Sequence, residues 1–292
     1  MTPLILGALA LLLAGPVPWA VAAFPQLRRT PTAALLWWQS MALAAVLSAL
    51  GAGISLATTT TWRTHPGWGW VVGGLALAVT ALVLSRLLLS AHRVGTEVRE
   101  LRRRHLDRVH LVAERTEDGV DVLEHPVPVA FCVRSRGRSS IVLTRGAVDV
   151  LSPEQVAAVI AHERAHLVAR HDLVLEAFAV LHRAFPAWVA SRTAKEETAL
   201  LIELMADRAA VRRTGPAPLA QALLAVAGGQ LPAGSVGVAD PVAPVGNLVV
   251  RAVTLGDQRR HPLQSVALVT MSGLLLGLPT ALVVLPWLRS ML

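Results

Sequence analysis

The sequence predicts an α-helical membrane protein that carries one polar α+β insert. First, 54% of its 292 residues are hydrophobic and only 16% charged, with a mean hydropathy of +0.55, which a soluble globule does not sustain. Second, the stretches 30–62, 64–85 and 262–288 contain no Lys, Arg, Asp or Glu. Third, all 19 acidic residues fall between Glu97 and Asp257. Cys132 is the only cysteine, which excludes a disulfide scaffold and a thiolate metal cluster.

About 20 apolar residues cross the hydrocarbon layer as a helix. Four windows reach that length, 3–24, 33–57, 68–89 and 264–288, and divide the chain into three spans over 1–91, an insert over 92–263, and a fourth span with a short tail over 264–292. The first window lacks the basic leader of a signal peptide and is interrupted by Pro16 and Pro18, so a retained span is expected. Arg28 and Arg29 follow the first span and 22 basic residues lie in the insert, while only Arg63 and Arg289 fall on the opposite side. Positive residues stay inside, so the insert is expected in the cytoplasm and both termini outside it. Trp19, Trp62, Trp68, Trp70 and Trp287 are spaced as interface anchors, with Trp37 and Trp38 at the inner boundary.

The net charge of +8 is almost wholly arginine, Lys195 being the single lysine, and it flanks apolar segments. Without a helix-turn-helix, an RNA-binding aromatic pair or zinc-finger spacing, no direct nucleic-acid contact is expected, and Arg102, Arg103 and Arg104 read as a patch facing anionic lipid. The arginine-heavy composition suits a GC-rich bacterial genome and hence a multi-pass protein of a bacterial plasma membrane.

Within the insert, a charged helical pattern from His92 to Arg108 gives way to short Val- and Ile-rich runs: Val109–Glu114, Val120–Leu123, Val127–Val133 and Ser139–Leu143. Asp118-Gly119 and Arg136-Gly137-Arg138 supply turns between them, predicting a small antiparallel or mixed sheet. Ser152 then caps a helix with Pro153 at its first position, and Val156, Val159, Ile160 and Leu167 repeat at helical spacing.

That helix carries His162-Glu163-Arg164-Ala165-His166. Histidines four apart share one helical face, so two imidazoles reach one zinc ion, and Glu163 between them is placed as general base for a water the metal activates. A catalytic zinc takes three protein ligands. Glu203 and Asp207 share one face of an otherwise apolar run from Ala199 to Ala210, where two acids are expensive unless paired with metal or histidine. Glu203 is therefore the third ligand and Asp207 the acceptor for a ligand histidine's free N–H; the competing reading pairs them with Arg208, Arg212 or Arg213. The expectation is one Zn2+ per chain.

The order of Val127–Val133, Ile141–Gly146, Leu151-Ser152-Pro153-Glu154, the His162–His166 helix and Glu203–Asp207 resembles the membrane gluzincins, a group that includes HtpX-type and CAAX prenyl proteases. It is most similar to the antirepressor peptidases of the BlaR/MecR type. The interval Leu173–Ala199, with Glu176, His182, Arg183, Pro186 and Arg192, is too short and interrupted for the helical hairpin expected of HtpX-like proteases, though Leu173–Trp188 could lie along the membrane surface. The resemblance implies a gluzincin-like zinc endopeptidase whose protein substrate is a transcriptional repressor. An HtpX-like quality-control protease and a signalling protein with a structural zinc stay open beside it. Sensor members continue into a penicillin-binding domain; no Ser-x-x-Lys occurs here, so no beta-lactam-binding domain is expected.

His171 lies more than one hundred degrees off the zinc face of an ideal helix and reads as a structural or supporting residue. Arg251, Arg208 and His171 are candidate oxyanion donors. His65, His92, His105, His110, His125 and His261 lack ligand spacing. Cys132, in an apolar run, reads as an inert buried thiol. The Gly/Pro-rich stretch Gly228–Gly246 reads as a loop, either a lid over the cleft or a plain connector.

Overall fold

The computed structural model describes residues 1–58, 66–115, 119–135, 138–186, 192–226, 245–257 and 259–289. Trp62, His65, Asp118, Arg136, Gly137, Trp188 and residues 228–244 of the expected loop lie outside the described residues, as do the side chains of His110 and Trp287. The chain forms two compact units, residues 1–92, 180–197 and 261–292 in one and 93–179 and 198–260 in the other.

The first unit holds the apolar helices. Its first window is broken: α1 (Thr2–Ala14) meets α2 (Pro16–Ala22) at a 41° bend, where Pro16 withholds an N–H. The long helix α3 (Pro31–Thr58) follows, and α4 (Pro66–Val112) is one continuous helix of 47 residues that begins here and runs on into the second unit. The expected span 68–89 and the charged helical pattern from His92 to Arg108 are thus parts of one helix.

Three helices, Pro31–Thr58, Gly67–Asp107 and Pro262–Leu285, are long and apolar enough to cross a membrane, or four if the bent pair counts as one span. The third of them belongs to α11 (Pro262–Arg289), which packs with α1 against α3. Small residues let these helices close up: a Cβ on Gly53 would lie 1.8 Å from Thr80 Oγ1 and 3.3 Å from Ala76 O. Leu75, Leu82, Leu88, Leu263, Val266 and Leu274 are exposed, as lipid-facing side chains are. Within this unit Arg86 Nε donates to Ala184 O at 2.8 Å, and Ser90 Oγ to Val180 O at 2.8 Å.

The second unit is built on a mixed sheet of β1 (Glu114–Arg115), β2 (Val120–Leu123), β3 (Ala130–Ser135) and β4 (Arg138–Thr144), in the order β1-β2-β4-β3. β2 and β4 are parallel, the other pairs antiparallel, and β3 forms an edge. The strand expected over Val109–Glu114 is helix to Val112, with only Glu114–Arg115 extended. Leu106 and Val109, three apart and both buried, dock as one helical stripe on Phe131, Val133 and Val142, so helical spacing wins over the run of β-formers. β3 also begins three residues later than expected. Pro126 and Pro128 have no N–H to contribute to a ladder, and Val129 is tied to Thr144 instead, with N–H to Oγ1 at 2.9 Å.

Alternation along the strands feeds two cores. Phe131, Val133 and Val142 face α4, while Cys132, Ile141 and Leu143 face the helices that follow: α5 (Arg145–Val150) and α6 (Pro153–Ala169). Each such side chain, fully buried, stabilises by about 1.5–3 kcal/mol. Gly146 opens α5 under Pro126, where a Cβ would stand 2.0 Å from its carbonyl oxygen. The start of α6 agrees with the sequence: Ser152 and Gln155 form a capping box, and Pro153 occupies the first turn. Arg170, at φ 51°, ends α6 in the left-handed region, and α7 (His171–Ala184) leaves from there. α8 (Arg192–Thr214), α9 (Pro216–Val226) and α10 (Val245–Leu255) complete the unit's helices among the described residues. Ala158 and Ala161 of α6, Ala210 and Val211 of α8, Leu219 of α9 and Leu255 of α10 share one core.

Candidate metal centre

α6 presents His162 and His166 from one face, with their Nε2 atoms 3.1 Å apart. Glu203 reaches them from α8: its Oε2 lies 3.4 Å from His162 Nε2 and its Oε1 3.5 Å from His166 Nε2. One ligand atom from each of the three falls within 4.8 Å of the others. Zinc bonds of about 2.0–2.1 Å in a tetrahedron separate donors by about 3.3 Å, close to what the three side chains hold. Two imidazole nitrogens and a carboxylate converging on one point form a donor set that a divalent cation suits, and the residues fit zinc.

Behind them stand three further side chains. Asp207, one turn along α8 and 2% exposed, places Oδ1 at 3.0 Å from His162 Nδ1. Arg251 of α10 donates to the same carboxylate twice, Nε to Oδ2 at 2.8 Å and Nη2 to Oδ1 at 2.7 Å, while Nη1 lies 3.1 Å from Glu203 Oε2. The cation meeting the two acids is thus Arg251 rather than Arg208, Arg212 or Arg213. Sequence reasoning offered Arg251 only as an oxyanion donor. Its place beside the carboxylates was signalled by the single charge of a largely apolar helix, four residues before the buried Leu255. His171 sets Nδ1 at 3.1 Å from His166 Nδ1. Arg251 is thus engaged by both carboxylates, and His171 stands behind His166.

The cluster's charges follow from burial and these contacts. Burial alone would push the His162 imidazole down, but Asp207 and Glu203 raise it to about 10. His166 goes the other way, lowered to about 4 by burial and by the His162 and Arg251 charges. His171 is lowered to about 4 by burial, with His166 adding. Against burial, the Arg251 guanidinium holds Glu203 well below the usual carboxylate range and, with His162, lowers Asp207. Half-buried Glu163 is raised, chiefly by burial. Burial and then the Glu163 charge push the Cys132 thiol up, as an inert buried thiol requires.

Residues 96–212 match the family model for peptidase family M48, a stretch that contains His162, Glu163, His166, Glu203 and Asp207 but ends before Arg251. Over that stretch, less than half of its length, the chain is similar to the metallopeptidases of that family. No solved structure matches the chain.

Proposed function

We propose that the chain is an integral membrane zinc endopeptidase in which His162, His166 and Glu203 bind one Zn2+ and Glu163 is the general base. The observation carrying this reading is the convergence of those three donors from two helices, with Glu163 next in sequence to His162, inside the stretch matched by the peptidase family. Zinc held there supplies Lewis-acid polarisation of a peptide carbonyl and lowers the pKa of water to near neutrality. Glu163, raised by burial, takes a proton from the attacking water and returns it to the departing amine nitrogen. Asp207 Oδ1 stands 3.0 Å from His162 Nδ1, where its charge favours a proton on that nitrogen and leaves Nε2 for the metal. The edge strand β3, against which α6 packs, offers backbone to an extended substrate peptide.

Four spans with both termini outside and the insert in the cytoplasm follow from the arginine distribution and the three or four apolar helices. With the antirepressor resemblance, this makes a cytoplasmic transcriptional repressor the substrate and regulated proteolysis the role.

Detergent-purified wild type, Glu163→Gln and Glu203→Ala are compared for zinc content and for cleavage of casein or of the chain itself. Wild type and Glu163→Gln hold one zinc, Glu163→Gln loses about 10²–10⁴ in rate, and Glu203→Ala loses both metal and cleavage. Well-folded wild type without stoichiometric metal sinks the assignment. In cells carrying Glu163→Gln, an intact repressor should accumulate; full-length membrane proteins accumulating instead would turn the role to quality control.

A further inference from the structure

On a helix continued past His166, a residue five positions on points well away from the zinc face. The chain does not continue it: Arg170 turns the backbone into the left-handed region, and His171, first residue of α7, comes back over His166. The return is anchored. Arg102 of α4 holds the start of α7, with Nη1 at 3.1 Å from Asp172 Oδ2 and Nη2 at 2.6 Å from Glu176 Oε1.

The protons can then be assigned. His166 Nε2 faces His162 Nε2 and Glu203, so as a metal ligand it offers a lone pair and the ring's proton sits on Nδ1. That N–H points at His171 Nδ1, 3.1 Å away, which must accept and therefore carries its own proton on Nε2. His171 is 3% exposed, and its Nε2 has no hydrogen-bond partner among the described residues. A buried donor left unpaired is costly, and the arrangement is retained where the opposite nitrogen is in use.

We infer that His171 is a positioning residue that fixes the tautomer and ring orientation of His166. The inference rests on the metal reading proposed above. The two ligand histidines are thus backed differently, His162 by a carboxylate 3.0 Å from Nδ1 and His166 by an imidazole in hydrogen-bond contact.

Asn sets Oδ1 where His sets Nδ1, Gln places its amide nearer to where Nε2 was, and Phe keeps the ring without an acceptor. Zinc affinity, measured by competition with a chelating dye, should fall about 10–100-fold in His171→Phe and also in His171→Gln, while His171→Asn stays close to wild type. The visible spectrum of the cobalt-substituted protein should change in the first two variants and not in the third. A general packing role would weaken Asn and Gln alike and leave the cobalt bands unmoved. Equal zinc affinity in all folded variants, or equal losses in Asn and Gln, overturns the role of His171. Wild type that folds without taking up zinc or cobalt overturns the metal reading itself. Should Phe fail to fold, the Asn and Gln pair still decides.

Discussion

The ion pair between Asp207 and Arg251 can be tested without any metal. Asp207 is 2% exposed and the Arg251 side chain 11%, and two hydrogen bonds of 2.7 and 2.8 Å join them. Asp207→Ala strands the guanidinium in a buried setting and removes the carboxylate 3.0 Å from His162 Nδ1. Removing one partner of a buried pair costs about 3–5 kcal/mol, because the other charge stays behind uncompensated. Arg251 keeps a second carboxylate, Glu203 Oε2 at 3.1 Å, which places the loss at the lower end. About 3 kcal/mol corresponds to a fall in Tm of about 6–12 °C in a chain of this size. The assay is thermal unfolding of the chelator-treated protein in detergent, followed by far-ultraviolet circular dichroism. Asp207→Leu combined with Arg251→Met should recover most of the loss, since no charge is then left unpaired, giving a coupling of at least about 1.5 kcal/mol between the sites. A Tm change under about 2 °C for Asp207→Ala, or a double variant equal to the sum of its singles, would refute the reasoning.

Zinc uptake should depend on pH, because Asp207 and Glu203 keep His162 protonated up to about 10 and the metal must displace that proton. Apparent affinity should rise up to about tenfold per unit between pH 6 and 9, and a flat profile by chelator competition would show His162 to be neutral already. The raised value also means that the metal-free fold draws its full share of stability from His162 below about pH 6.5 and loses it as pH climbs toward about 10, which a series of melts would show. Gly146→Ala should cost about 3 kcal/mol, since its Cβ would meet Pro126 O at 2.0 Å and Pro126 C at 2.6 Å, both backbone atoms that cannot swing aside. Gly256→Ala, whose nearest contact is Val253 O at 3.9 Å, is the matched control, and equal Tm changes in the two would contradict the packing at Gly146.

Local chemistry was readable from the sequence, and long-range pairing was not. Ser152 and Pro153 announce the start of α6 because capping is settled within four residues. Glu203 and Asp207 stand out because carboxylates in an apolar helix need partners, whatever those partners prove to be. Arg251 lies 44 residues from Asp207, so nothing local says that the two meet. His171 returns over His166, off the path of an ideal helix, because α6 ends at Arg170. A glycine at position 170 would have signalled the left-handed turn, whereas an arginine adopting it carries no such mark. The strand expected from Val109 failed similarly, since the residues its helix docks on are Phe131 and Val133 of β3 and Val142 of β4, further along the chain.

The spacing of the metal donors also depends on residues with no chemistry of their own. Glu203 can stand 3.4–3.5 Å from two imidazoles only if the backbones of α6 and α8 approach closely. Their shared core is built largely from alanine, with Ala158 and Ala161 on one helix and Ala210 on the other, and Ala206 is fully buried between Glu203 and Asp207 in sequence. Helices in contact sit about 8–10 Å apart according to the side chains between them, and alanine takes the short end of that range. A larger residue at these positions would move Glu203 by more than the tolerance of a metal–ligand bond, about 0.2 Å. Donor type is thus written in His162, His166 and Glu203, but donor distance is set by the alanines beneath them.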